Sequence, residues 1–194
     1  MTGLLKGALA APPELAEQPT VSLHGSVDDA MLAIWLDAVA TVRAGTGPLV
    51  LELSTTGGDA EVGRRMAEDV RLFRERTGRR ALFLGRTTVY SAGVTIMSGF
   101  RRADRWLSRD AGLMIHGRKL QKTLEIDGPL RFERPRVEAL LAAMDEGLRI
   151  ERAGFKQLIE GSDVALEELE KQTIGDWYLT SEQALERRLI AGLI

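Results

Sequence analysis

"TTVYSAGVTIMSG", residues 87–99, opens as a β-branched run and passes through a single hydroxyl, Ser91, into small and apolar residues at helical spacing. A chain that turns from strand to helix at Ser-Ala-Gly has two readings. The serine is a nucleophile held at a tight turn, or it is a small residue where two elements pack closely. Taken alone, the stretch is satisfied by either, so the decision falls to what surrounds it.

Upstream, "PTVSLHGSV" (19–27) alternates apolar residues and ends at a glycine turn. It predicts a strand, and Met31, Ile34, Trp35, Ala38 and Val42 then fall at helical spacing. "GPLVLELSTTGGD" (47–59) reads as a buried strand closed by a glycine pair. "AEVGRRMAEDVRLFRERTG" (60–78) is an amphipathic helix ending at Gly78, and "RRALFLGRTTVYS" (79–91) is the next strand. "RWLSRDAGLMIHG" (105–117) predicts a strand pair or strand-turn-strand. "KLQKTLEIDGPLRFERP" (119–135) alternates around Asp127-Gly128 and predicts a projecting hairpin. A long helix is expected from about Arg136 to Gly161, a shorter one through "VALEELEKQT" (164–173), and a capped helix with a terminal strand in "YLTSEQALERRLIAGLI" (178–194). Repeated strand-helix units mean α/β architecture with parallel sheet and right-handed crossovers.

Bulk properties narrow the chemistry. At 194 residues and 44% hydrophobic, the chain can bury one sizeable core. Residues 20–194 are expected to form a single domain, and 1–19 an exposed, partly disordered arm. A formal net charge of −2 with interspersed signs leaves no broad footprint for nucleic acid or anionic lipid. No stretch approaches the roughly 20 apolar residues of a membrane span. The arm's apolar run is broken by Lys6 and is shorter than a signal-peptide core, so a cytoplasmic location is expected. With no cysteine and two histidines, His24 and His116, zinc would need mostly carboxylate ligands, and no metal or other cofactor is expected.

A serine acts as a nucleophile when an imidazole takes its proton and a third group fixes the imidazole's tautomer. His116 closes the apolar run "LMIHG", where a strand would present it at the rim of a sheet. His24 lies beside the first glycine turn. The oxyanion of a tetrahedral intermediate also needs donors, and backbone N–H groups at a glycine turn or helix start supply them. Gly57-Gly58 and the N–H of Ala92 are the candidates. The glycine pair is equally well explained as a tight strand-to-helix turn. Tyr90, just before the serine, either lines a specificity pocket or ends the strand.

Together these pieces resemble the proteolytic subunit of the Clp protease. A strand ends in a glycine pair, a helix and a strand lead to Ser-Ala-Gly, and "LMIHG" places His116 25 positions after Ser91. In that family the acid follows the long handle helix, and the matching segment here, "LEELEKQTIGDWYLTSEQALERRLIAGLI", puts Asp176 in its place. The resemblance spans about residues 20–194. It implies the ClpP/crotonase-like ββα superhelix, with a projecting handle hairpin and long helix. Ser91 is then the nucleophile, His116 the general base, Asp176 its orienter, and the N–H groups of Gly58 and Ala92 the oxyanion hole. Gly57, Gly117, Arg118 and a strand after His116 would hold an extended peptide or unfolded protein. A homo-oligomeric ring and an ATPase unfoldase partner are further implications.

The chain departs from the family at three places. "TTGG" stands where "SPGG" is usual. Trp177 follows the acid where the family carries an arginine used between rings. Charged "RKLQKTLEIDGPLRFERPR" replaces a glycine-rich handle strand. Two other functions share the fold: an acyl-CoA enzyme of crotonase type, whose chemistry typically rests on carboxylates, and a non-catalytic scaffold subunit, which would lack a triad member.

Overall fold

A computed structural model describes residues 10–15 and 18–194. Its framework is a mostly parallel sheet built from β1 (Val21–His24), β2 (Leu49–Thr55) and β3 (Ala81–Tyr90), with α1 (Asp29–Ala44) and α2 (Ala60–Thr77) as crossovers. Each crossover is fixed at its start by an aspartate that satisfies N–H groups the helix leaves open. Asp28 accepts from Met31 N at 2.9 Å, and Asp59 Oδ1 from Glu61 N at 2.7 Å and Val62 N at 3.1 Å. Gly78 ends α2 at φ 67°, a left-handed conformation that glycine adopts without a Cβ penalty.

The alternating side chains of the central strands serve two faces. Leu49, Leu51, Leu53, Ala81 and Phe83 pack against Trp35 and Val39 of α1 and Met66, Val70 and Phe73 of α2. Val50, Leu82 and Leu84 face the other way, where Trp106, Ala191 and Leu15 cover them. Both faces are buried, which is why β2 and β3 read as near-continuous apolar runs. Leu15 comes from a 3-10 turn, Pro13–Leu15. Most of the N-terminal segment expected to be an arm, residues 1–9 and 16–17, lies outside the described residues.

The decisive feature is that β3 serves two neighbours in succession. Phe83–Gly85 pair with β4 (Arg105–Leu107), and Thr88–Tyr90 pair with β5 (Gly112–Ile115). The strand bends between them. Gly85 is pressed so closely that a Cβ there would stand 2.4 Å from Leu107, Thr87 has φ 50°, and the β2–β3 register shifts between Leu53 and Thr55. The bend carries the strand's end out to β5, and there it becomes α3 (Ala92–Ser98).

Downstream, α4 (Leu130–Ile159) runs for 30 residues, about 45 Å. Its C-terminal end is buried through Phe155 and Leu158. Along the same stripe, nearer its start, Leu130, Leu141, Met144 and Leu148 are exposed. Then follow α5 (Leu166–Gln172), β6 (Trp177–Thr180), α6 (Ser181–Glu186) and β7 (Gly192–Leu193). α6 starts with a capping box in which Thr180 and Gln183 satisfy each other's backbone N–H groups. β7 returns to pair with β4.

Three expectations are corrected. Residues 117–129 contain neither the expected hairpin nor the strand expected directly after His116; the chain there is irregular. The long helix starts at Leu130 rather than near Arg136, with Pro129 at its cap and Pro135 inside it. For 105–117 the strand-turn-strand alternative holds: β4 and β5 follow one another without pairing, because each takes its own half of β3. Among the described residues no helix is long and apolar enough to cross a membrane.

Candidate active site

Ser91 sits where β3 gives way to α3, with φ 54° and ψ −115°. That backbone conformation costs a non-glycine residue of order 1–3 kcal/mol and persists only where the surroundings enforce it. Here they do. Ser91 N donates to Met114 O at 2.8 Å, tying the turn to β5, and Ser91 O accepts from Val94 N at 2.9 Å, starting the helix. The hydroxyl stands at the N-cap position yet caps nothing. The most common use of a serine there is therefore not made.

The small residues around it also have a packing reason. A Cβ on Gly93 would stand 2.5 Å from Thr55 Cγ2, one on Gly63 of α2 3.0 Å from Ala92 O, and one on Gly99 2.7 Å from the Ala67 backbone. Close approach of α2 to α3 and an unspent hydroxyl coexist in this turn.

The glycine pair lies directly beneath the serine. Gly57 has φ 108°, and Gly58 φ 151° with Val27 O 2.3 Å from where its Cβ would be, so both positions require glycine. Thr55 stiffens this turn in place of a proline: its Oγ1 donates to Gly25 O at 2.5 Å and accepts from Gly57 N at 3.0 Å. Gly58 is bridged to Val27 through Val27 N to Gly57 O at 3.0 Å and Asp59 N to Val27 O at 2.7 Å. Neither the Gly58 N–H nor the Ala92 N–H has an acceptor among the described residues.

His116 is the first residue beyond β5, so the strand that anchors Ser91 N also brings the imidazole to the sheet rim. Ser91, Ala92, Gly58, His116, Gly117 and Arg118 all line one cleft of 640 Å³ between α2, α3 and α4. Its inner wall includes Val94, Ile115, Phe155 and Leu158. Arg105, buried beneath this wall, donates to the carbonyls of Ser98, Phe100, Gln157, Leu158 and Leu189 at 2.6–3.4 Å. Burial pulls its guanidinium down to about 10. It joins the C-terminal ends of α3 and α4, where a cation also suits the helix dipoles.

Asp176 reaches the site through β6. The antiparallel β5–β6 ladder ends at Ile115–Trp177, so His116 and Asp176 are the next positions across from one another. The sequence reading missed β6, although "WYLT" is rich in strand formers. His24, the other histidine, ends β1 and is not in the cleft.

The three side chains are neighbours by register but are not joined by hydrogen bonds. His116 Nδ1 lies 2.5 Å from Gly117 O. A carbonyl oxygen only accepts, so Nδ1 is the donor, and in the neutral imidazole Nε2 then carries the lone pair that a base requires. Asp176 Oδ1 faces Lys119 Nζ at 3.9 Å. Arg118 is held on both sides: its backbone N–H donates to Glu151 Oε2 of α4, and its guanidinium to Glu61 Oε1 of α2. Glu61, Lys119 and Glu151 carry no motif that would have marked them in the sequence.

Among solved structures, the chain is similar to a mutant of ClpP1 from Listeria monocytogenes, with a TM-score of 0.67 and 17% identity over 90% of each chain. The likeness is one of fold, and the chain has the ClpP-like α/β fold expected from its motifs. No family model matches the sequence, and no curated protein does.

Proposed function

We propose that the chain is a serine peptidase that cleaves peptide or unfolded protein substrates through an acyl-enzyme. The observation that carries this reading is the state of Ser91: an unspent hydroxyl on a strained turn, one β-ladder away from a base-competent histidine, in an open cleft. Ser91 Oγ attacks the scissile carbonyl carbon as His116 Nε2 takes its proton. His116 then protonates the departing amine, and water hydrolyses the ester in the reverse sense. Asp176 orients the imidazole in the engaged site. The N–H groups of Gly58 and Ala92 hold the oxyanion, and Gly57, Gly117 and Arg118 contact the bound chain. Charge develops at donors already fixed by the Thr55 and Val27 bonds, so little reorganisation accompanies the step.

The same reading takes the working form to be a homo-oligomer. Support comes from Leu130, Leu141, Met144 and Leu148, an exposed apolar stripe in register with the buried Phe155.

The test is covalent labelling by a fluorophosphonate. Mass increase at Ser91 in the native chain, lost in Ser91→Ala, is the expected result. Absence of label above that background, both in the native chain and with Arg118 replaced by Gln, overturns the proposal.

A further inference from the structure

Gly117–Lys119 form a strap that lines the cleft, and α2, α4 and the connection between α5 and β6 fasten it. Gly117 N donates to Thr173 O at 3.1 Å, at the end of α5. Arg118 N–H donates to Glu151 of α4, the Arg118 side chain to Glu61 of α2, and Lys119 faces Asp176 just before β6. A Cβ on Gly117 would stand 3.3 Å from both Glu151 Oε2 and Thr173 O, so the strap lies closer to its supports than most side chains would fit.

The fastening takes two groups away from one another. The strap's own Gly117 carbonyl occupies His116 Nδ1, the nitrogen through which Asp176 would orient the ring. The strap's Lys119 cation faces Asp176 at 3.9 Å. An imidazole cannot donate one proton to both Gly117 O and Asp176. The Gly117 contact must therefore give way before the His116–Asp176 pair can form.

We propose that Arg118, clamped between Glu61 and Glu151, is a positioning residue that latches this strap and holds His116 and Asp176 apart. The latch regulates the site assigned above and rests on that assignment. Of its contacts, the Arg118–Glu61 pair is the one open to disturbance: Glu61 is 57% and Arg118 28% exposed at the side chain. A bound peptide carrying an acidic or basic group, or a neighbouring subunit, can compete for either partner at the cleft mouth. Burial works to raise the Glu61 carboxyl, but the hydrogen bond and charge of Arg118, with Arg64, outweigh it and leave it below its ordinary value. The ionised form that fastens the latch is thereby favoured.

Two readouts test the latch independently: hydrogen exchange at the amides of 117–119, and the rate of fluorophosphonate labelling at Ser91. Arg118→Gln and Glu61→Gln should each speed both by roughly two- to fivefold, the size a partly exposed ion pair supplies. Arg118→Lys, which keeps the charge that faces Glu61, should hold exchange at 117–119 near the native rate. The double variant should add nothing to either single one, as expected when both remove the same contact. Unchanged exchange in both single variants, or additive effects in the double, overturns the latch. Slower labelling with faster exchange also overturns it, since the strap would then be building the site. Faster exchange with no label in any variant keeps the latch and removes the peptidase reading instead.

Discussion

A Cβ atom built on Gly57 stands 2.7 Å from Ser91 Cβ and 3.1 Å from Ser91 Oγ, so a side chain at 57 and the hydroxyl at 91 exclude one another. Gly57→Ala combines this clash with a backbone at φ 108°. A loss of about 2–4 kcal/mol in urea unfolding is expected, together with reduced labelling at Ser91. Gly25→Ala is the control. It has φ 97° but nothing within 4 Å of the added carbon, and it should cost only the backbone strain, about 1 kcal/mol.

Ser91 itself is held at φ 54°, a cost glycine does not bear. Ser91→Gly should therefore raise stability by about 1 kcal/mol after the extra chain entropy of glycine is subtracted. Ser91→Ala keeps the strain and should not show this gain. Both should lose fluorophosphonate labelling completely, which separates stability from reactivity at a single position.

Replacing Arg105 by Met leaves five carbonyls without their donor, most of them at the ends of α3 and α4. Chemical denaturation should show a loss of about 3–5 kcal/mol. Arg105→Lys should recover only part of it, because one ammonium cannot span the acceptors that a guanidinium fork reaches.

Glu168 and Arg187 bind each other through two bonds, at 2.7 and 2.6 Å, joining α5 to the residue that ends α6. Arg187's hydrogen bond holds the Glu168 carboxyl below its ordinary 4.5, against a smaller opposing effect of burial. A carboxyl with a lowered folded value stabilises the protein above the unfolded value, and this contribution disappears as pH falls through the folded one. The native chain should therefore lose more thermal stability between pH 7 and pH 3 than Glu168→Gln. Equal losses would remove the pair from the acid response.

The exposed stripe on α4 predicts assembly. Leu141→Glu with Leu148→Glu should leave circular dichroism and thermal unfolding of the monomer essentially unchanged, since both side chains are exposed. Sedimentation should show a smaller particle than the native chain. An unchanged sedimentation coefficient would place any subunit contact elsewhere.

How far the sequence could be read follows from which signals are local. The glycine pair before α2, the strand into Ser91 and the apolar run into His116 are each specified by their own neighbours, and in the structure Gly58, Ser91 and His116 line one cleft. Asp176 is legible only through the family resemblance, and the β5–β6 register is what sets it across from His116. Residues 119–135 misled because their alternation fits a strand and Pro135 argues against a helix. Alternation carries weight only where a sheet buries one face, and no sheet reaches this segment. The strap was invisible for a different reason. Its ion pair with Glu61 and its backbone bond to Glu151 join residues 57 and 33 positions apart, and charge spacing in a sequence says nothing about such distant partners.

The β5–β6 pairing has a consequence in time. Ser91 and His116 are specified by chain that has left the ribosome long before Asp176, which follows sixty residues after His116. At roughly 5–20 residues per second, that interval lasts some seconds. Through it the nascent domain carries the strained serine turn without the strand that brings Asp176. The strand that sets Asp176 opposite His116 is thus made only after the α4 helix, together with the last part of the core, Leu179 to Ala191.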